Sequence, residues 1–131
     1  MANERDPLSG SDFEIADYHA RAMEYADKAD GRLPLEPGDS IDARKLMNAA
    51  FCFEQAVFWL IPDLRTIPRS QAAVNAVSLA FRGRDYVGAI SFGQEAMDDM
   101  GIHMSEVSRT RIERMIEESI DKIIAPSIRK P

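Results

Sequence analysis

The sequence has little cysteine and no long apolar run, and both absences narrow the class of protein. Cys52 is the single cysteine among 131 residues, so no disulfide can form within the chain. The longest uninterrupted apolar stretch, residues 56–61, is far shorter than the roughly 20 residues of a membrane-spanning helix. Residues 1–11 contain no apolar segment of the kind found in a secretory signal. We therefore expect a cytoplasmic protein with no membrane span.

Positive charge is also scarce relative to negative charge. Sixteen lysines and arginines stand against 22 aspartates and glutamates, which gives a formal net charge of −6. Because nucleic-acid-binding domains need an excess of basic residues to neutralise phosphates, we expect no nucleic-acid partner. Residues 1–38 hold nine acidic and four basic residues, and so carry most of the net negative charge. This segment is a further, minor candidate for a surface that engages a basic partner or imitates nucleic acid.

The remaining composition is that of a globular helical protein. Hydrophobic residues make up 45% and charged residues 29% of the chain, close to the averages for soluble domains. The length predicts a single domain over residues 1–131, with residues 1–10 and 127–131 as flexible ends. Proline and glycine separate apolar stretches of helical period, and no strand-like alternation occurs. We predict an all-α fold, a compact bundle of about five helices.

Turn and capping residues set the bounds of these helices. The predicted helices are residues 11–30, 39 or 40 to 61, 70–82, 85–100 and 105–125. Ser11 and Glu14 have the spacing of a capping box at the start of the first helix. Gly101 is expected to cap the fourth helix with a positive φ, and Pro126 to stop the fifth.

The connections between the helices differ in length. Residues 31–38 hold two prolines and two glycines and predict an ordered loop. Pro62 and Pro68 are expected to bracket a turn, and Gly83 to join the third and fourth helices. Small residues at helical spacing predict that these two helices approach closely as an antiparallel hairpin: Ala73, Ala76, Ala80, Ala89, Gly93 and Ala96.

The hairpin of residues 70–101 resembles one unit of the tetratricopeptide repeat. The positions that match its pattern are Asp85, Tyr86, Ala89, Ile90, Ala96 and Met97. Four positions depart from it, because Ala73 stands where tryptophan is common, Val77 where glycine is, Gly93 where an aromatic residue is, and Gly101 where proline is. The resemblance covers about a quarter of the chain and implies a helical hairpin of a kind used in protein-binding grooves. A general bundle remains the favoured fold.

The second predicted helix is apolar on nearly all sides. Residues 49–61 include just two polar side chains, so this helix must be buried on most of its surface. We expect it to be the central helix of the bundle. Its aromatic side chains lie on different sides, which leaves two interpretations: all of them form the core, or some form a homodimer or partner interface. The residues predicted for that interface are Phe51, Phe58 and Trp59.

The clearest candidate for metal chemistry is an acidic group beside His103. Glu95, Asp98 and Asp99 lie close to it in sequence and could form a metal site if the chain folds back. However, Gly101 is expected to end the helix between Asp99 and His103, so their spacing does not place them on one face. A solvated acidic helix end is the favoured interpretation, and a small metal-dependent hydrolase is the alternative.

Neither His19 nor Cys52 indicates catalysis. His19 borders the apolar stripe of the first helix, where a half-buried structural histidine is expected. Cys52 has apolar neighbours and is expected to be a packed, inert thiol. No phosphate-binding glycine motif occurs, so no cofactor is predicted. The sequence therefore favours a non-enzymatic, intracellular protein–protein interaction module, such as an adaptor, chaperone-like or inhibitory protein, that forms a homodimer.

Overall fold

The computed structural model describes residues 2–32 and 41–129, with side chains over 12–31 and 43–124. The helices are α1 (Ala2–Arg32), α2 (Ile41–Leu60), α3 (Thr66–Arg82), α4 (Tyr86–Met100) and α5 (Glu106–Arg129), with a short 3₁₀ helix at Gly101–His103. The described ranges contain no strand, and the all-α prediction is confirmed. No helix within them is both long enough and apolar enough to cross a membrane.

The helices pack mainly against their neighbours along the chain. α1 packs against α2, α2 against α3 and α3 against α4, while α5 packs against both α3 and α4. Arg65, just before α3, donates to Asp12 of α1, and Arg82 at the end of α3 donates to Asp30 of α1. α1 and α3 therefore run in the same direction. One end of the bundle holds the end of α2 and the start of α3, beside Asp12 of α1.

α2 is the central helix, as its apolar composition predicts. It contacts α1 and α3 along its length, and its rings also reach α4. The ring centroids of Phe51 and Phe58 lie 6.1 Å and 5.4 Å from that of Phe92 on α4, both edge to face. Tyr25 of α1 stacks on Phe53 at 5.6 Å. Aromatic contacts on both sides of α2 thus hold the layers of the bundle together.

The predicted helix starts are wrong in two places. α1 includes Ser11 in its interior, so the capping box is not formed. A serine inside a helix costs less than about 0.7 kcal/mol relative to alanine, so Ser11 does not by itself prevent the helix from continuing through it. α3 begins at Thr66, so Pro68 lies in its first turn and does not close the turn that Pro62 opens. A proline costs little there, because the first N–H groups of a helix have no acceptor within it.

The chain ends are more helical than predicted. α5 passes through Pro126 and ends at Arg129, since a proline near a helix end removes just one backbone hydrogen bond. α1 and α5 extend into the predicted flexible ends, although residues 1, 130 and 131 lie outside the described part. Residues 33–38 of the predicted loop at 31–38 also lie outside the described part. α2 ends before Pro62, as predicted.

Gly83 lies in the turn between α3 and α4, but it does not adopt the positive φ that usually requires a glycine in a turn. Its φ is −83°, and the residue with positive φ is Arg84, at 64°. A Cβ on Gly83 would lie 2.9 Å from Cγ of Met47, closer than van der Waals contact allows. Gly83 is therefore required for the approach of α3 to α2. Asp85 then caps α4 by accepting from the backbone N–H of Gly88 at 2.9 Å.

The small residues of the hairpin are buried, yet one of them faces another helix. A Cβ on Gly93 would lie 3.0 Å from Cδ1 of Ile116 and 3.1 Å from Cγ2 of Ile112, both on α5. Gly93 thus permits the approach of α5 to α4 and does not serve the α3–α4 contact predicted for it. The five alanines predicted for this contact are all buried: Ala73, Ala76, Ala80, Ala89 and Ala96.

Gly101 ends α4 with a positive φ, as predicted, and replacing it should destabilise the fold. Its φ and ψ are 55° and −129°, and its N–H bonds to the carbonyl of Met97. We expect Gly101→Ala to cost about 1–3 kcal/mol, because a side chain strains this conformation. The matched control is Gly31→Ala in α1, where φ is not positive and a Cβ meets nothing within 4 Å. Urea unfolding should show the control to be neutral or stabilised; equal losses would contradict the prediction.

Candidate functional site

A buried arginine organises the end of the bundle where α2 ends and α3 begins. The side chain of Arg69 is 5% exposed. Its Nε donates to the carbonyl of Ile61 at 3.1 Å, and its Nη1 donates to Oδ2 of Asp99 at 2.6 Å. Nη2 lies 3.7 Å from Oδ1 of Asp63. The buried positive charge is therefore held between two carboxylates and the carbonyl of Ile61, the residue after α2.

Two aromatic rings lie directly beside this guanidinium. Its central carbon is 4.1 Å from the ring centroid of Phe58 and 5.6 Å from that of Trp59. The two rings also meet each other edge to face at 4.8 Å. A cation over an aromatic face is attracted by the negative face of the ring. Arg69 and Phe58 thus form a rigid support under Trp59.

An open cavity of about 240 Å³ adjoins Arg69. Its lining residues come from the α2–α3 connection, α3, the end of α4 and the 3₁₀ helix: Asp63, Leu64, Thr66, Arg69, Asp99, Met100 and His103. Two of the predicted metal-site residues, Asp99 and His103, meet here. Asp99 already binds Arg69, and the fixed positive charge beside it opposes a metal cation.

The alternative metal group does not assemble around His103 in the described part of the chain. Glu95 and Asp98 are exposed on α4 and do not line the cavity that Asp99 and His103 share. Among the described residues, no group of three or more histidine, cysteine, aspartate or glutamate side chains could hold a metal ion. Arg69 binds Asp99 in place of a metal, and sequence reasoning did not single out this arginine because its partner lies 30 positions away along the chain.

Large apolar side chains are exposed at the same end of the bundle as this cavity. Leu64 lines the cavity and is 94% exposed; Ile67 follows Thr66 and is 68% exposed; Ile102 precedes His103 and is 93% exposed. Trp59, above Arg69, is 43% exposed. We call these four residues the apolar end. Three of them lie within residues 59–67, but Ile102 comes from the segment after α4, so no local pattern indicated that it would lie at the same end.

Of the aromatic residues predicted for an interface, the structure leaves one at the surface. Phe51 and Phe58 belong to the buried core, where Phe92 of α4 packs against both. Of the three residues predicted for the interface, Phe51 and Phe58 are therefore not available to a partner, and Trp59 is. The sequence did not identify Phe92 as the ring that would cover the other two.

The prediction that Cys52 is packed among apolar side chains is wrong. The residue is exposed, although the adjacent Phe51 is buried. Successive residues of a helix differ by about 100° in direction, so neighbours can lie on opposite sides of the surface boundary. A free, exposed thiol is typical of proteins in a reducing compartment.

The charged groups at the apolar end are predominantly acidic and exposed. Asp63, Asp98 and Glu106 present their carboxylates to solvent. Two arginines of the same region are paired with carboxylates, Arg65 with Asp12 and Arg69 with both Asp99 and Asp63, while the half-buried Arg109 donates to the carbonyl of Gly101. The apolar end therefore has a rim of negative charge.

A second polar cluster lies between α1, α2 and α3. Glu54 of α2 is 1% exposed. Nδ1 of His19 on α1 lies 3.0 Å and 3.1 Å from its two carboxylate oxygens, and Nδ2 of Asn75 on α3 donates to Oε2 at 3.4 Å. His19 is half-buried, as predicted. Sequence reasoning missed its partner, although an acidic residue within an apolar helix is itself a signal.

No protein-family model matches the chain, and neither the curated proteins nor the solved structures contain a match. The resemblance of residues 70–101 to a tetratricopeptide unit therefore stays a prediction from sequence. The function has to be argued from the contacts and charges of this chain alone.

Proposed function

We propose that the protein is a non-enzymatic interaction module, an adaptor, chaperone-like or inhibitory protein, whose apolar end binds a partner segment with apolar and basic side chains. The observation that carries this proposal is the exposure of Leu64 and Ile102, both above 90%, at the end of the bundle where Arg69 holds Trp59. The exposed, free Cys52 supports the cytoplasmic location that is part of the proposal.

The exposed apolar side chains supply the binding energy. A single exposed leucine needs no explanation, but several around one cavity mark a contact surface. Burying a leucine or isoleucine side chain contributes about 1.5–3 kcal/mol. Trp59 adds an aromatic anchor, and Arg69 and Phe58 fix its ring before binding. An anchor that is already ordered loses little side-chain entropy in the complex.

The acidic rim selects the charge of the partner. A second copy of the same surface would bring Asp63, Asp98 and Glu106 against their own equivalents, which is unfavourable. A segment with lysine or arginine beside its apolar residues is complementary to this rim. Because the rim carboxylates are exposed, their attraction is weakened by salt.

A pair of synthetic peptides tests the proposal. One is an amphipathic helix of leucine and lysine, and the other has glutamate in place of every lysine. We expect the basic peptide to bind and to shift the backbone amide resonances of Leu64, Ile67 and Ile102 most strongly. The acidic peptide should bind at least tenfold more weakly. Equal binding of both peptides, or shifts confined to other surfaces, would contradict the proposal.

Self-association is a second candidate function, on a different surface. α5 buries Ile112 and Ile116 against α3 and α4, and its apolar stripe continues with Ile120, Ile123 and Ile124, which are exposed. A second copy packed along this half of α5 would continue the buried stripe. We expect the molar mass from light scattering to be that of a dimer and to fall to that of a monomer for Ile123→Lys. A monomeric wild-type protein would exclude it.

A further inference from the structure

The carboxylate of Glu54 is buried without a permanently charged partner. Buried charges in proteins are normally paired with an opposite charge or bound to a cation. Among the described residues, its hydrogen-bond partners are His19, which is charged when protonated, and the neutral amide of Asn75. A permanently charged cation that reached Glu54 would supply the opposite charge that these two partners do not.

A cavity of about 280 Å³ opens at this position. Its polar lining residues are Asp12, His19, Glu54, Gln71 and Asn75, and its apolar ones are Ile15, Ala16, Val57, Ile61, Pro68 and Ala72. Three of the polar residues, His19, Glu54 and Asn75, are joined by hydrogen bonds, and the apolar residues supply the rest of the wall. Since pockets for drug-sized ligands start at about 300 Å³, this cavity suits a smaller group.

We propose that this cavity binds an alkylammonium group, from a free amine or a lysyl side chain, with Glu54 as its counter-ion. The ammonium donates to the carboxylate of Glu54 and to the amide oxygens that line the cavity. Its alkyl chain packs against Val57, Ile61 and Ala72. A hydrogen bond between an ammonium group and a carboxylate is stronger than one between neutral groups, because both partners are charged.

His19 acts as the cover of the site. Its side chain is 45% exposed, yet its imidazole lies against a carboxylate that is almost completely buried. An ammonium group that reaches Glu54 takes the position of the imidazole nitrogen, and His19 then turns outward from α1. Binding therefore competes with the His19–Glu54 contact, and removal of the imidazole should favour the ligand.

The test uses n-butylammonium as the free amine, Nα-acetyl-lysine methylamide as the lysyl source, and n-butanol as the neutral control. Shifts of the methyl resonances of Val57, Ile61 and Ala72 report binding. We expect n-butylammonium to bind at least tenfold more tightly than n-butanol. A lysyl probe that binds as tightly identifies side chains of partner proteins as ligands, and one that does not bind restricts the site to free amines.

Two substitutions have opposite expected effects. Glu54→Gln should weaken n-butylammonium binding at least tenfold, whereas His19→Ala should strengthen it severalfold. Glu24→Gln, which removes an exposed carboxylate from α1, is the matched control and should leave the affinity unchanged. Equal binding of n-butanol, an unchanged affinity for Glu54→Gln, or weaker binding to His19→Ala would each overturn the proposal. His19→Ala keeps the test decisive if Glu54→Gln does not fold. The apolar end takes no part in these measurements, so the two proposals can fail separately.

Discussion

Replacing Leu64 and Ile102 together with aspartate is expected to abolish binding of the basic amphipathic peptide. Each side chain removes about 1.5–3 kcal/mol of apolar contact, so the dissociation constant should rise at least a hundredfold, or about 3 kcal/mol. The substitutions add negative charge, which by itself attracts a basic peptide. A loss of binding would therefore show that apolar contact, and not charge, dominates the affinity. Titration calorimetry at fixed salt measures the change.

Val87→Asp is the matched control for this double variant. Val87 is 68% exposed near the start of α4, at the opposite end of the bundle from Leu64 and Ile102. All three substitutions change exposed residues, so each should alter the free energy of unfolding by no more than about 0.5 kcal/mol. If Val87→Asp weakened peptide binding as much as the double variant, the peptide would be responding to general surface charge, and the apolar end would not be the binding surface.

Phe58→Ala is expected to destabilise the protein by about 3–5 kcal/mol. The side chain is 0% exposed, and its ring contacts Phe92, Trp59 and the guanidinium of Arg69. The substitution leaves a cavity and also removes a cation–π contact from a buried charge. Urea unfolding measures the loss, which is a large fraction of the stability of a typical domain, about 5–15 kcal/mol.

Trp59→Ala separates folding from binding at the adjacent position. Because Trp59 is partly exposed, its removal should cost less stability than Phe58→Ala while weakening peptide binding at least tenfold. Phe58→Leu keeps part of the buried volume and should lie between the alanine variant and the wild type in stability. A Trp59→Ala protein that was less stable than Phe58→Ala would contradict the division between a core ring and a surface ring.

The fold was largely predictable because helical periodicity is a local property of the chain. The end of α2 before Pro62 and the cap at Gly101 depend on residues within one turn of the boundary, and both were predicted correctly. The starts of α1 and α3 were not. In the sequence, Pro68 suggests that a helix cannot begin before it. However, a proline in the first turn of a helix removes no hydrogen bond within that helix.

The candidate sites depend on residues far apart in sequence. Arg69 meets Asp99 30 positions away, and His19 meets Glu54 35 positions away. Neither spacing belongs to a helix face, so no periodic pattern could connect them. Trp59 was identifiable as a candidate surface anchor because α2 is apolar on more sides than one neighbour can cover. The burial of Phe51 and Phe58 required knowing that Phe92 would pack against α2.

Two ion pairs that join α1 to the two ends of α3 have a consequence for how α1 is aligned along the bundle. The most buried side chains of α1 are small, Ala22, Ala26 and Ala29, and because they repeat at about one helical turn, they alone would fit α2 almost equally well after a shift of about 5.4 Å. The contacts of Asp12 with Arg65 and of Asp30 with Arg82 lie on either side of these alanines. A one-turn slide would break both contacts and the stack of Tyr25 on Phe53, so charge and one aromatic contact select the alignment that alanine packing alone leaves ambiguous.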